Sequence, residues 1–274
     1  MNEDAVAVLQ QHDGSNPNGT SLNGTSLYGT SLTGIALLGS NPNGGSLGVA
    51  ATGAPLSGAD VVGSTWPGHL ADGSPVVLRI DGAIQGKGAN ADVWSYLVSA
   101  SVDDTWHALC PPSAAGEPVY ADSVRGTWNV AQGVPGGGSY DPDAPEFTLA
   151  CRGSSIAKCV ELGYKPWSGY ARELAACVRA LRADYCGDGT PYTVDGTLID
   201  LYDDAGILSD SLAWNPEAEW TPDGATCISR TTETRFWQVA SERPWCFPHA
   251  LKPKNSCGTG FSGGATIITE LAPR

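Results

Sequence analysis

"SGYARELAACVRALRADYCGDGT", residues 168–190, is the stretch from which the rest of the chain can be read. Leu174, Val178, Leu181 and Tyr185 recur at i, i+4, i+7 and i+11, with Cys177 beside them. That period lays one apolar stripe along an α-helix. Ser168 offers an N-cap and Gly187 a glycine stop, so the spacing predicts one main helix over about 169–185. Arg172, Glu173, Arg179 and Arg182 lie off the stripe. Cys177 and Cys186 stand about 13 Å apart along a continuous helix axis. A disulfide tolerates roughly 7 Å between Cα atoms. Each cysteine must therefore reach a different element, which staples the helix at two points.

Outward from the helix the pattern turns to period two. "SPVVLRIDG" (74–82), "DVWSYLVSASV" (92–102) and "EFTLACRG" (146–153) alternate as strands, and "GVPGGGSYDPDAP" (133–145) is a loop. In the second strand Val93, Ser95, Leu97 and Ser99 share one face, and Trp94, Tyr96 and Val98 the other. Short strands at this spacing suggest an antiparallel sandwich or small barrel. On the C-terminal side, Val194, Leu198, Leu201 and Ile207 flank Asp195–Gly196 and predict a hairpin after the helix. "GATIITEL" (264–271) predicts a last strand. The fold class expected is α+β: mostly antiparallel β-structure, one main helix, and 35 glycines and 19 prolines in the turns. The organisation expected is a tail (1–14), a repeat or linker (15–50), a β-rich half (55–150) and a cysteine-rich half (151–274). Residues 55–274 read as one structural unit.

The eight cysteines are Cys110, Cys151, Cys159, Cys177, Cys186, Cys227, Cys246 and Cys257. None forms a CxxC pair, which argues against finger-type zinc sites. An even count in a glycine-rich chain reads as disulfides made in an oxidising compartment. Sequence leaves on the order of 100 pairings open. Cys246 and Cys257 enclose a proline-rich loop and form a natural local pair.

The net charge is −14, with lysines and arginines scattered. That balance excludes a phosphate-backbone partner and disfavours an anionic membrane surface. No apolar run approaches the ~20 residues of a membrane span. Polar "NEDAV" follows Met1, so an export signal is expected to have been removed, and any membrane link would be a lipid anchor on preceding residues.

The N-terminal segment repeats every five residues. Glycine recurs from Gly14 through Gly19, Gly24, Gly29, Gly34 and Gly39 to Gly44. Leu22, Leu27, Leu32, Leu37 and Leu47, with Pro17 and Pro42, fill the slot three later. Thr20, Thr25, Thr30, Ile35 and Gly45 sit two before the leucines. Over about 15–48 this resembles the pentapeptide-repeat pattern, which implies a square β-coil with the leucines inside. Stacked repeats need roughly three units to bury an inner face. The segment therefore either docks on the following domain or serves as a linker. Asn18 and Asn23 begin N-x-T sequons.

The residues offer several candidate chemistries. Asp184, Asp188, Asp195 and Asp200, with Asp203 and Asp204, crowd the kind of oxygens that calcium takes, though not at EF-hand spacing. As turn residues they would instead bond their own backbone. Asp188 and Asp195, with His107 and His249, are the candidate acid–base groups; His12 and His69 lie in turn-rich sequence. Cys186 at a helix C-terminus is poorly placed as a thiolate nucleophile. G-x-S-x-G occurs around Ser46 and Ser262, but no histidine follows Ser262, so the hydrolase chain order fails. Trp66, Trp94, Trp106 and Trp128 raise glycan stacking, against the commoner role of core packing.

"AKCVELGYKPW" (157–167), "ADYC" (183–186), "CGDGT" (186–190), "DGTLIDLYD" (195–203) and "EAEWTPDGATC" (217–227) carry a further likeness. Over roughly 60–260 the chain resembles the ADYC-domain family of bacterial proteins, found chiefly in myxobacteria and their relatives. The resemblance implies an exported, cysteine-rich protein and brings no established activity. Read structurally, Tyr185 closes the helix stripe, Cys186 staples it, Asp184 caps or pairs with an arginine, and Gly187 turns the chain. The function expected is a secreted or cell-envelope module, non-enzymatic, without a cofactor, whose partner is a protein or a surface polysaccharide. The alternative is a secreted hydrolase with an acidic, calcium-assisted site near 184–204.

Overall fold

The computed structural model describes residues 25–27, 31–32, 35–38, 45–50, 56–69, 75–102, 105–144, 147–193, 197–239 and 243–273. They fall in two compact units. The first takes in Asn23–Trp128 and Asp141–Ala157; the second takes in Asn129–Tyr140 and Lys158–Arg274.

Short strands open the first unit: β1 (Thr25–Leu27), β2 (Ser31–Leu32), β3 (Ile35–Leu38), β4 (Gly48–Ala50) and β5 (Leu56–Ser57). β2 to β5 pair in sequence as an antiparallel ladder. Much of the five-residue repeat, and with it the expected coil over 15–48, lies outside the described residues.

Longer strands follow: β6 (Thr65–His69), β7 (Pro75–Gln85), β8 (Trp94–Val102), β9 (Thr105–Ala108) and β10 (Ala121–Arg125). After β11 (Thr127–Trp128) and β12 (Tyr140–Asp141) comes β13 (Phe147–Cys151). The antiparallel sheet runs β1-β13-β10-β8-β7-β6, and β9 also pairs with β8. Alternation in sequence becomes alternation in burial. Val76, Leu78 and Ile80 are buried while Val77 between them is 40% exposed. Tyr96, Val98 and Ala100 form the inward face of β8. Trp66 meets Phe147 edge-on, ring centroids 5.9 Å apart, and Tyr96 accepts the Leu47 N–H at 2.9 Å. Cys110–Cys151 ties β13 to the segment after β9.

The second unit sets a helix against a sheet. Helix α1 (Ser155–Glu161) leads in from the first unit, and α2 (Ala171–Arg182) is the main helix. The strands are β14 (Ile199–Asp203), β15 (Asn215–Thr221), β16 (Gly224–Ser229), β17 (Pro253–Lys254) and β18 (Ile267–Leu271), with a single turn α3 (Phe236–Val239) between β16 and β17. The order is β14-β18-β15-β16-β17, antiparallel except for β16–β17. Helix α2 packs on β15, β16 and β18. Leu174 and Val178 from the predicted stripe are fully buried there.

The structure corrects four local expectations. The helix is entered at Tyr170 without a side-chain cap, and Ser168 instead ends a 3-10 turn begun at Pro166. The helix stops at Arg182, not near Gly187, because Ala183 takes the left-handed conformation (φ 52°). The Asp184 N–H then bonds Arg179 O and the Ala183 N–H bonds Ala180 O, the double closure of a Schellman motif. The hairpin at Asp195–Gly196 has no first strand among the described residues; β14 pairs with β18 at the end of the chain. Finally, Cys246 and Cys257 do not pair. The bridges are Cys186–Cys246 and Cys227–Cys257. Cys177 bonds Cys159 on α1, and Cys186, four residues past the helix end, bonds a different element, so the two cysteines staple this segment at separate points although no continuous helix joins them. All eight cysteines are bridged.

Candidate functional site

The chain from Ala183 to Thr190 is where the main helix, a tight loop and a disulfide meet. Asp184 is fully buried. It pairs with Arg179 one turn back and accepts the backbone N–H groups of Asp188 (3.1 Å) and Gly189 (2.8 Å). Burial pushes its carboxyl above the ordinary range, only partly offset by Arg179 and the Gly189 N–H. Arg179 also donates to Gly137 O (2.7 Å) and Pro222 O (2.9 Å), and Arg182 donates to Gly189 O. Both arginines lie off the apolar stripe yet are buried, because loop carbonyls cover that face of the helix. Gly187 sits at φ +68°, and a Cβ there would lie 1.9 Å from Asp223 O, so only glycine fits.

Tyr185 enters the interior beside this loop. Its hydroxyl donates to Glu217 Oε1 at 2.6 Å. Arg235 grips the same carboxylate through Nε (2.9 Å to Oε1) and Nη2 (2.9 Å to Oε2). Arg235 Nη2 and Nη1 also reach Ala180 O and Leu181 O, carbonyls of the last turn of α2. Thr269 donates to Glu217 Oε2, and Trp220 donates to Thr269. Tyr185, Glu217 and Arg235 are each at most 1% exposed. Burial alone would raise the Glu217 carboxyl, but the charge and hydrogen bonds of Arg235 outweigh it and hold it below its ordinary value. Burial and the Glu217 charge push the Tyr185 phenol well up. This knot is closed to solvent and fully hydrogen-bonded. It can bind helix to sheet, and it offers no open position to a substrate.

The candidate acid–base and metal residues do not form one constellation. Asp188 accepts the Thr190 N–H and the Trp245 indole N–H (2.8 Å). Asp195 lies outside the described residues. Asp200 accepts Ser211 and Leu212. His107 is half-buried on β9 in the first unit, and His249 is exposed in a turn of the second. Asp203 accepts Tyr164, Ile207 and Leu208 and fixes the turn after β14. Ser262 is exposed and donates to buried Glu219, whose carboxylate also accepts the Gly258 N–H; among the described residues no imidazole completes a triad. Trp66 and Trp128 are core residues, Trp94 is half-buried, and Trp106 is 38% exposed.

A different acidic group does converge. Oxygens of Asp200, Asp210 and Glu270 lie within 4.8 Å of one another. Burial, then the Asp210 and Asp200 charges, raise the Glu270 carboxyl. Such a set can share a proton or face a hard cation. A second geometric group, Glu219 with Cys227 and Cys257, offers no thiolate because the two sulfurs bond each other.

Sequence reading missed Glu217, Arg235 and Glu270. "EAEW" reads as plain alternation, which would put Glu217 and Trp220 on opposite faces. Against β18 the register of β15 shifts between Pro216 and Ala218, which makes Glu217 the extra residue of a bulge, and both Glu217 and Trp220 meet Tyr185.

The fold and this corner define a disulfide-stapled α+β protein whose signature residues join a helix, a loop and a sheet. The ADYC domain model matches residues 58–234, more than half of the chain, and the chain belongs to that family. The match takes in parts of both units and ends before β18, the strand that pairs with both β14 and β15. No curated protein and no solved structure matches the chain.

Proposed function

We propose that this is an extracytoplasmic, non-enzymatic module that presents a binding surface on a disulfide-held body. One observation carries the reading: every polar or sulfur-bearing side chain of the signature is engaged in architecture. Asp184 closes a loop, Tyr185 anchors Glu217 and Arg235, and Cys186 is bridged to Cys246. Four disulfides support an oxidising compartment. Among the described residues no helix is long and apolar enough to cross a membrane. The carboxylates at 184, 188 and 200 accept backbone and side-chain hydrogen bonds, which weighs against the hydrolase alternative.

The test is expression by two routes. Routed to an oxidising periplasm, the chain should be recovered folded, without free thiols, and inert towards panels of chromogenic esters, glycosides and peptides. In a reducing cytosol it should aggregate or be degraded. Stable folding with free thiols, or a turnover abolished by D188N or D200N while the fold survives, contradicts the reading.

A further inference from the structure

Beside α3 in the second unit lies a groove of ≈ 310 Å³, at the lower end of the ~300–1,000 Å³ of small-ligand clefts. Its apolar walls are Ile228, Trp237, Phe247 and Pro253. Its polar lining includes Thr232, Thr234 and Arg230. Thr234 is 1% exposed, and its hydroxyl has no hydrogen-bond partner; the Thr232 hydroxyl is likewise buried without one. Buried hydroxyls are normally satisfied, so two orphans in one groove point to an absent hydrogen-bonding partner. Among the described residues neither Arg230 nor Arg243 has a carboxylate partner, in a chain of net charge −14. Arg230 makes one side-chain bond, to Pro253 O at 3.3 Å. Arg243 lies 4.2 Å above the Trp237 ring that edges the groove.

We propose that this groove binds an acidic sugar, a hexuronate residue of a polysaccharide. The assignment rests on the binding-module reading and names its ligand class. A uronate brings the three chemistries that the groove leaves unmet. Its carboxylate answers the guanidinium of Arg230. Its ring hydroxyls can each donate and accept, as the threonine hydroxyls can. Its C–H faces suit the aromatic and proline walls. An extended peptide fits less well. The sheet edge here is the two-residue β17, and Pro253 has no N–H to pair with an added strand.

The experiment is calorimetric titration of the full chain with digalacturonate, with neutral galactobiose, and with an N-blocked peptide bearing a free C-terminal carboxylate. Digalacturonate should bind, more weakly as salt rises, and galactobiose at least about tenfold less tightly, as loss of a charge-assisted hydrogen bond implies. R230Q should lose about tenfold in affinity. T234V should lose several-fold without lowering the unfolding midpoint, because it replaces an unpartnered hydroxyl with a methyl. The midpoint of each variant separates a lost ligand contact from a lost fold. No heat with digalacturonate, unchanged binding by R230Q, or tighter binding of the peptide overturns the site. Binding followed by cleavage of the disaccharide upholds the site and overturns the non-enzymatic reading; absence of binding removes the site and leaves that reading standing.

Discussion

Tyr185 donates its phenolic hydrogen to Glu217 across 2.6 Å, and the same carboxylate is held in a fork by Arg235. The tyrosine follows the end of the main helix, the glutamate is on β15, and the arginine precedes α3. One buried carboxylate thus fixes three segments. Arg235 extends the hold to the carbonyls of Ala180 and Leu181, where the helix dipole favours a cation.

Removing members of this knot should cost unequal amounts. Y185F takes away one donor to Glu217 and should destabilise by about 1–3 kcal/mol. E217L leaves the Arg235 guanidinium buried and unpaired and should cost about 3–5 kcal/mol. The double change E217L/R235M should recover much of that loss, because two charges no longer need burial. Urea unfolding midpoints check the order. Because Arg235 holds Glu217 below its ordinary value, the pair's stability is complete above that value and is lost as pH falls through the depressed one. The excess stability of the native protein over E217Q should therefore shrink as pH falls below 4.5.

Gly187 and Gly206 both have positive φ, +68° and +76°, but only at Gly187 would a Cβ meet backbone, Asp223 O at 1.9 Å. G206A should cost about 1 kcal/mol of left-handed strain. G187A should add roughly 1–3 kcal/mol for the displaced Asp223–Gly224 turn. Equal thermal midpoints for the two variants would refute the close approach.

The helix was legible because Leu174 and Val178 fall on one apolar stripe, although Tyr185, read as the end of that stripe, lies past the helix stop at Arg182. β7, β8 and β13 were legible from alternation; the short β9 and β10 were not. The cysteine pairing was not. Closing a short loop has only a small entropic advantage, about 0.6 kcal/mol per halving. Packing therefore decided, and Cys246 went to Cys186 across 60 residues instead of to Cys257. Glu217 and Arg235 gave no signal either. Charged residues read as surface until a partner is found, and theirs is 18 residues away across a bulged strand.

Glu270 titrates in the opposite sense to Glu217. Its carboxyl is raised by burial and by Asp210 and Asp200, so the folded state binds its proton more tightly than the unfolded chain does. Stability from this group is complete below its ordinary value of 4.5 and is lost as pH rises through the raised one. E270Q should therefore gain on the native protein as pH climbs from 4.5 upward. A flat difference across that range, measured by thermal unfolding, would remove the coupling to Asp200 and Asp210.

The bridges should rank by the chain they close. Loss of Cys186–Cys246, separated by 60 residues, should cost about 4 kcal/mol, and loss of Cys159–Cys177, separated by 18, about 3 kcal/mol. Paired serine variants, compared by denaturant midpoint, check the ranking.

The most direct measurement is peptide mapping of the native chain without reduction, with free thiols counted in the same sample. The account predicts no free thiol and a covalent fragment joining Cys186 to Cys246. A free, alkylatable thiol at Cys186 would contradict it, and so would a fragment joining Cys246 to Cys257; either would return the signature cysteine to the list of reactive groups.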